Sequence, residues 1–344
     1  MIEEKTTILV IYTGGTIGMT KDIDTGALVP FDFGNIYEQM PILRSFDYKI
    51  DFHSFENLID SSNVKPDFWI ELVGVIEKNY EHYDGFVVLH GSDTMAYTAS
   101  ALSFMLENLN KPVIFTGSQL PMGVIRTDGR ENFLTAIEIA AAKEDGLAVV
   151  PEVAIYFENQ LMRGNRTTKF NAERFNAFVS GNYPLLAEVG VHIRFKKHNM
   201  LKPNFKKLKV HTRLDFNVTI LKLFPGISEN VVRNTLAIPG LKALILETFG
   251  SGNAPTDEWF IGCLAEAIQG GLIIYNVTQC KSGSVELGKY ATSLELERIG
   301  VIGGYDITTE SALSKLMYLI GEGFPKERIV ELLKLPIRGE ITIE

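Results

Sequence analysis

Four short runs in the first half of the chain are almost purely apolar: TILVIY at residues 7–12, FVVLH at 86–90, PVIFTG at 112–117 and VAIYF at 153–157. A strand with one wet face alternates apolar and polar residues, so near-continuous runs of this length call for burial on both faces. Stretches with helical spacing lie between them. Residues 94–109 carry Met95, Ala99, Leu102 and Leu106, and residues 132–143 carry Leu134, Ile137 and Ala141. Alternation of strand and helix predicts parallel pairing with right-handed crossovers. The pattern resumes with strands at 218–224, 243–248 and 271–278 and helices at 257–269, 310–321 and 325–333. Between the two series, residues 194–209 (RFKKHNMLKPNFKKLK) are basic and contain a proline. In a chain of net charge -9 a solvated linker accounts for that run better than a nucleic-acid patch. The 344 residues therefore read as two α/β domains. A larger N-terminal domain, 1–195, holds a mostly parallel sheet flanked by helices. A linker, 196–217, joins it to a smaller C-terminal α/β domain, 218–344.

Composition closes off several functions. The acidic balance disfavours nucleic acid and anionic membrane as partners. Two cysteines, Cys263 and Cys280, are too few for a disulfide framework and form no C-x-x-C. The start, MIEEKTT, is acidic where a secretory signal is basic, and no apolar run approaches the roughly 18 residues of a membrane span. A cytoplasmic protein is expected. The six histidines are scattered without H-E-x-x-H, so no metal and no cofactor is expected, and no G-x-S-x-G elbow is present.

Ligands of open parallel sheets sit beyond the carboxyl ends of the strands. Three polar clusters fall there: TGGTIGM at 13–19, HGSDT at 90–94 and TGSQLPMG at 116–123. The first lacks both the lysine of a phosphate loop and the G-x-G-x-x-G spacing. It reads either as a tight turn whose threonines bond backbone or as a site for a reactive hydroxyl. In the second, Asp93 stands where a helix begins, as a cap or as a catalytic group. A helix start also offers free N–H groups to a carboxylate or an oxyanion. A fourth cluster, RGNRTTK at 163–169, is a solvated basic turn unless its lysine meets Asp93 in a crevice and shuttles a proton. A lysine used as a base would need burial to lower its pKa.

Taken in order, YTGGTIGM, HGSDTMAYTASALSFMLENLNKPVIFTGSQLP, RGNRTTK, GSGNAP and GVIGGYDITTESALSKLMYL resemble the bacterial-type L-asparaginases, most closely their cytoplasmic type I branch. The resemblance runs from the first strand nearly to the end of the chain. It implies hydrolysis of L-asparagine to L-aspartate and ammonia, with minor glutaminase activity, by a homodimer or a dimer of dimers. Thr16 matches the family's nucleophile. Ser92 and Asp93 match its Thr-Asp pair, and Lys169 its catalytic lysine. Asp60, Ser61 and Ser62, in LIDSSN, match the segment that holds the substrate's α-amino and α-carboxylate groups, together with Asp93 and Ser92. Asn253 matches an asparagine that reaches into the neighbouring subunit's site.

Three departures from the family pattern stand out. Ser92 replaces the usual threonine, keeping the hydroxyl and losing the methyl that stiffens it. The lid segment TKDIDTGALVPFDF, residues 20–33, contains no tyrosine to activate Thr16, and Tyr12 and Tyr37 are the nearest. Some type I members bind asparagine at a second, regulatory site with a cysteine matched by Cys280 and an arginine where this chain has Glu247; the reversed charge predicts that this control is absent or altered. Two rivals make different predictions. A transfer-RNA amidotransferase subunit would carry an extra domain before the first strand. A catalytically dead amino-acid-binding module would bind asparagine without releasing ammonia.

Overall fold

The computed structural model describes residues 5–21, 28–30, 36–289 and 291–343, and the chain divides into two compact units between Val210 and His211. In the first unit the principal strands are β1 (Thr7–Tyr12), β2 (Lys49–Ser54), β3 (Gly85–Leu89), β4 (Val113–Thr116), β5 (Val153–Phe157), β6 (Gln160–Arg163), β7 (Ala187–Val189) and β8 (Ile193–Phe195). They form one sheet in the order β8-β7-β6-β5-β4-β3-β1-β2. The five strands from β5 to β2 are parallel, as the continuous apolar runs predict. Residues Ile8–Tyr12 and all of β3, β4 and β5 are buried. The edge beyond β5 is antiparallel. A two-residue turn produces this reversal: Glu158 and Asn159 both take positive φ, 40° and 66°, which matches the tight hairpin joining Phe157 to Gln160.

Three helices cover the sheet: α1 (Pro66–Asn79), α2 (Met95–Met105) and α3 (Gly129–Ala141). The spacing in 94–109 predicts one buried stripe, yet every residue of α2 but Tyr97 is buried. A helix wrapped on all sides carries no polar face. Here α1 lies against it, Trp69 Nε1 donating to Thr98 Oγ1 at 3.1 Å, and the Gly164–Arg166 turn packs onto Ala99. The helix stops at Met105, and Leu106–Glu107 pairs antiparallel with Lys209–Val210. The stretch expected as a linker thus runs along the first unit as far as Val210. Its Leu201 N–H donates to Glu152 Oε1 at 2.7 Å, and Asn204 and Phe205 N–H donate to Asn110 Oδ1.

The second unit is a four-stranded parallel sheet in the order β9 (Val218–Lys222), β10 (Ala243–Thr248), β11 (Ile273–Thr278) and β12 (Ile302–Gly303). Its helices are α4 (Glu229–Leu236), α5 (Glu258–Gln269), α6 (Ala291–Ile299), α7 (Thr309–Gly321) and α8 (Lys326–Leu333). Lys315, on α7, pairs with Glu340, both fully buried. Among the described residues no helix is long and apolar enough to cross a membrane, and no group of His, Cys, Asp and Glu could hold a metal ion.

Candidate active site

The order β4-β3-β1-β2 makes the polar clusters after β1 and β3 neighbours, and it brings in a segment the strand pattern did not single out, the chain that follows β2. Backbone hydrogen bonds fix that segment against the first turn: Phe55 N–H to Tyr12 O at 3.0 Å and Ile59 N–H to Thr13 O at 2.9 Å. Together the three enclose a cleft of about 220 Å³ lined by Gly14, Gly15, Thr16 and Met19, by the chain from Leu58 through Ser61, and by Gly91, Ser92 and Asp93. The third cluster, TGSQLPMG, does not line it. Gln119 instead donates to Ala172 O and Arg174 O, in the loop after Lys169, at 3.3 and 2.9 Å.

Glycine permits this convergence at two positions. A β-carbon on Gly15, which sits at φ 86°, would stand 2.5 Å from the Gly91 backbone. One on Gly91 would stand 2.5 Å from Ser61 Oγ. Neither distance is possible without moving main chain, so the three loops touch only because nothing projects between them.

Thr16 opens a short 3-10 turn, Thr16–Gly18, whose backbone is braced from below by Tyr12: its hydroxyl donates to Gly18 O at 2.9 Å. Burial pushes the Tyr12 phenol up to about 12, so it stays protonated near neutral pH and is no base. Tyr37 is equally committed, donating to Ile50 O at 3.2 Å. The lid, residues 20–33, lies for the most part outside the described residues; of those described, Met19–Lys21 pairs antiparallel with Leu28–Pro30. Among the described residues the Thr16 hydroxyl has no hydrogen-bond partner.

Ser92, Asp93 and Lys169 come together. Lys169 Nζ lies 2.8 Å from Ser92 Oγ and 2.7 Å from Asp93 Oδ1. Its side chain is 16% exposed and that of Asp93 63%, so a sheltered ammonium is presented to the edge of the cleft through a carboxylate and a hydroxyl. Asp93 is not at the cap position of α2, which is Thr94, and the Thr94 side chain makes no cap hydrogen bond. The Thr94 hydroxyl turns away to donate to Ser61 O at 2.7 Å, tying the helix start to the segment after β2. Thr94 therefore gives the first turn of α2 no side-chain cap.

On the facing wall, Asp60 Oδ1 accepts from the N–H and the hydroxyl of Ser62 at 2.9 and 2.7 Å. Those bonds, the backbone one first, hold the Asp60 carboxyl below its ordinary range. Asp60 and Ser61 line the cleft; Ser62 supports Asp60 from behind. The lining residues all belong to the first unit, so Asn253 is not among them. It closes a turn of the second unit, exchanging backbone hydrogen bonds with Phe249 at 2.8 and 2.9 Å. Glu247, also in the second unit, accepts from Thr309 Oγ1 at 2.6 Å and stands 3.9 Å from Lys222 Nζ.

Comparison with known proteins agrees with this architecture. Residues 7–201 match the family described as Asparaginase, N-terminal, and residues 217–333 match the Glutaminase/Asparaginase C-terminal domain. The chain is 44% identical to L-asparaginase 1 of Escherichia coli K12, over 98% of this chain and 99% of that protein. It is 41% identical to the mouse 60 kDa lysophospholipase, over 98% of this chain and 62% of that protein. The crystal structure of L-asparaginase I from Vibrio cholerae superposes with a TM-score of 0.90 at 41% identity, covering 99% of this chain and all of that one. With both domains matched in order, and a relative of this identity along nearly its full length, the chain belongs to the asparaginase family.

Proposed function

We propose that this protein hydrolyses the side-chain amide of L-asparagine, with Thr16 as the nucleophile. The observation that carries the proposal is the Lys169 ammonium shared between Ser92 Oγ and Asp93 Oδ1, at the edge of the same cleft that Thr16 lines. An amide carbonyl is a poor electrophile and water a poor nucleophile, so a positioned hydroxyl divides one hard step into two easier ones. Thr16 Oγ bonds to the amide carbon of the substrate. The hydroxyl proton passes to the departing nitrogen through the Ser92–Asp93–Lys169 group, and ammonia leaves a β-aspartyl ester on Thr16. Water then adds to the ester carbonyl, and aspartate leaves as the hydroxyl is restored. The start of α2, with its positive dipole end, supplies N–H donors for the oxyanion.

The zwitterionic end of the substrate finds matching groups. Asp60, kept ionised by Ser62, receives the α-ammonium, with Asp93 beside it, and the Ser61 hydroxyl, with the Ser62 segment, receives the α-carboxylate. Glutamine is longer by one methylene, which pockets reject by only about 1–3 kcal/mol, so slow glutaminase activity accompanies the main reaction. Asn253 completes the site of a neighbouring subunit in a cytoplasmic homodimer or dimer of dimers. Glu247, occupied by Thr309 and Lys222, leaves no cationic receptor for a second asparagine, so the rate rises hyperbolically with asparagine concentration. The deciding experiment measures ammonia release from asparagine and glutamine by wild type, Thr16→Ala and Lys169→Met. Loss in both variants supports the assignment. Undiminished turnover by Thr16→Ala removes Thr16 as the nucleophile, and asparagine binding without ammonia release by wild type leaves a binding module.

A further inference from the structure

His90 follows β3 directly and precedes Gly91, Ser92 and Asp93, which line the cleft, and it is 1% exposed. Its backbone N–H donates to Thr116 O at 3.0 Å, and its ring meets Phe68 and Phe115 edge-on. His90 itself is not among the residues that line the cleft. Its two nitrogens are nonetheless fully used: Nδ1 lies 2.7 Å from Gly91 O, and Nε2 lies 3.1 Å from Thr98 Oγ1.

The partners determine where the protons are. A carbonyl only accepts, so Nδ1 carries the hydrogen and donates to Gly91 O. Indole nitrogen only donates, so Trp69 Nε1 gives its hydrogen to Thr98 Oγ1, at 3.1 Å. The single Thr98 hydroxyl hydrogen then goes to Nε2, which in the neutral ring is an acceptor. The chain Trp69 to Thr98 to His90 to Gly91 O therefore has one direction and no donor to spare. Burial agrees with it, pulling the imidazole down to about 4 so that the ring is neutral at physiological pH.

The consequence falls on the next peptide. Among the described residues no peptide bond is cis, so the Gly91 carbonyl and the Ser92 N–H point in opposite directions across one plane. A carbonyl turned onto the imidazole points the Ser92 N–H away from the ring, and Gly91 and Ser92 both line the cleft. Among the described residues that N–H meets no acceptor. Position 91 must be glycine to let Ser61 approach, and glycine is the residue that holds a peptide plane least firmly.

From these contacts we propose that His90 is a positioning residue: its Nδ1–H locks the Gly91–Ser92 peptide so that the Ser92 N–H faces the reacting amide and Ser92 and Asp93 stay in reach of Lys169. The assignment of a chemical consequence rests on the proposed function; the geometry of the peptide does not.

Two substitutions separate positioning from bulk packing. His90→Asn keeps an N–H donor close to where Nδ1 stands, and His90→Leu fills the space without one. Asparagine turnover by His90→Leu should fall by roughly tenfold to a hundredfold in kcat, the scale of a lost oxyanion donor, with KM within about threefold of wild type. His90→Asn should recover most of that loss although both variants lower the melting temperature. Crystal structures of both read the peptide directly, whether or not the protein turns asparagine over: wild-type orientation in His90→Asn, a rotated or mixed Gly91–Ser92 peptide in His90→Leu. Thr98→Val, which retains the imidazole but removes the hydroxyl that orients it, should show a smaller kcat loss and keeps the test open if position 90 tolerates no change. Wild-type kcat in His90→Leu, equal kcat losses in the Asn and Leu variants, or an unrotated peptide in His90→Leu would overturn the proposal. A wild-type protein that releases no ammonia would overturn the proposed function alone, and the peptide orientations would still decide the role of His90.

Discussion

Lowering the pH from 7 to 4.5 should weaken the protein by about 2.5 kcal/mol through His90 alone. The ring is buried neutral, and its pKa falls from the ordinary 6.5 to about 4. Above 6.5 it is unprotonated in both folded and unfolded chains and does not affect the balance. Below 6.5 the unfolded chain binds a proton that the folded chain refuses until the pH nears 4, so stability is lost progressively across that window as pH falls. A gap of about 2.5 units at 1.36 kcal/mol per unit gives a full loss of about 3.4 kcal/mol, of which about 2.5 kcal/mol is reached at pH 4.5. The assay is urea unfolding of wild type and His90→Leu at both pH values. Carboxylates titrate alike in the two proteins and cancel in the comparison, so wild type should lose about 2.5 kcal/mol more than the variant on acidification. Parallel losses would refute the burial of a neutral ring and, with it, the direction of the Trp69–Thr98–His90 chain.

Elsewhere the glycine contacts and the buried charge give sharper mechanical tests. Gly91→Ala places a β-carbon 2.5 Å from Ser61 Oγ, so it should destabilise the protein by about 1–3 kcal/mol and raise KM for asparagine by displacing the Asp60–Ser61 wall, checked by thermal melts and initial rates. In the second unit, Lys315→Met removes the cation paired with the fully buried Glu340 and should cost about 3–5 kcal/mol in urea unfolding while leaving KM unchanged; pairing it with Glu340→Gln, which removes the charge and keeps an acceptor for the Ile337 and Arg338 N–H groups, should restore part of that loss.

The parts of this molecule that could be read from the chain alone are those where local chemistry and burial agree. TILVIY, FVVLH and VAIYF announce central parallel strands because both faces of each are covered. The strand Lys49–Ser54 gives no such signal. It lies on the edge of the sheet with only Ile50 fully buried, and polar residues interrupt it. Without that strand the apolar pattern gives no reason for residues 58–61 to line the cleft; the family resemblance matched Asp60, Ser61 and Ser62 to a substrate-holding segment. The antiparallel rim from Gln160 to Phe195 depends on positive φ at Glu158 and Asn159, residues that are no glycines. Within the site, Thr16, Ser92, Asp93 and Lys169 were legible because each stands in a compact polar cluster that follows a strand. His90 belongs to one of those clusters, but nothing in HGSDT itself marks its role. Its meaning lies in Thr98, one α2 turn further on, and in Trp69, on a helix the apolar pattern did not reveal.

The account turns on covalent chemistry at position 16. Acid quenching of the enzyme during asparagine turnover, followed by digestion and peptide mass spectrometry, measures it most directly. An aspartyl adduct on the peptide containing Thr16, absent from Thr16→Ala, is the expected result. An adduct on the peptide bearing Ser92, or ammonia release by Thr16→Ala at the wild-type rate, would contradict it.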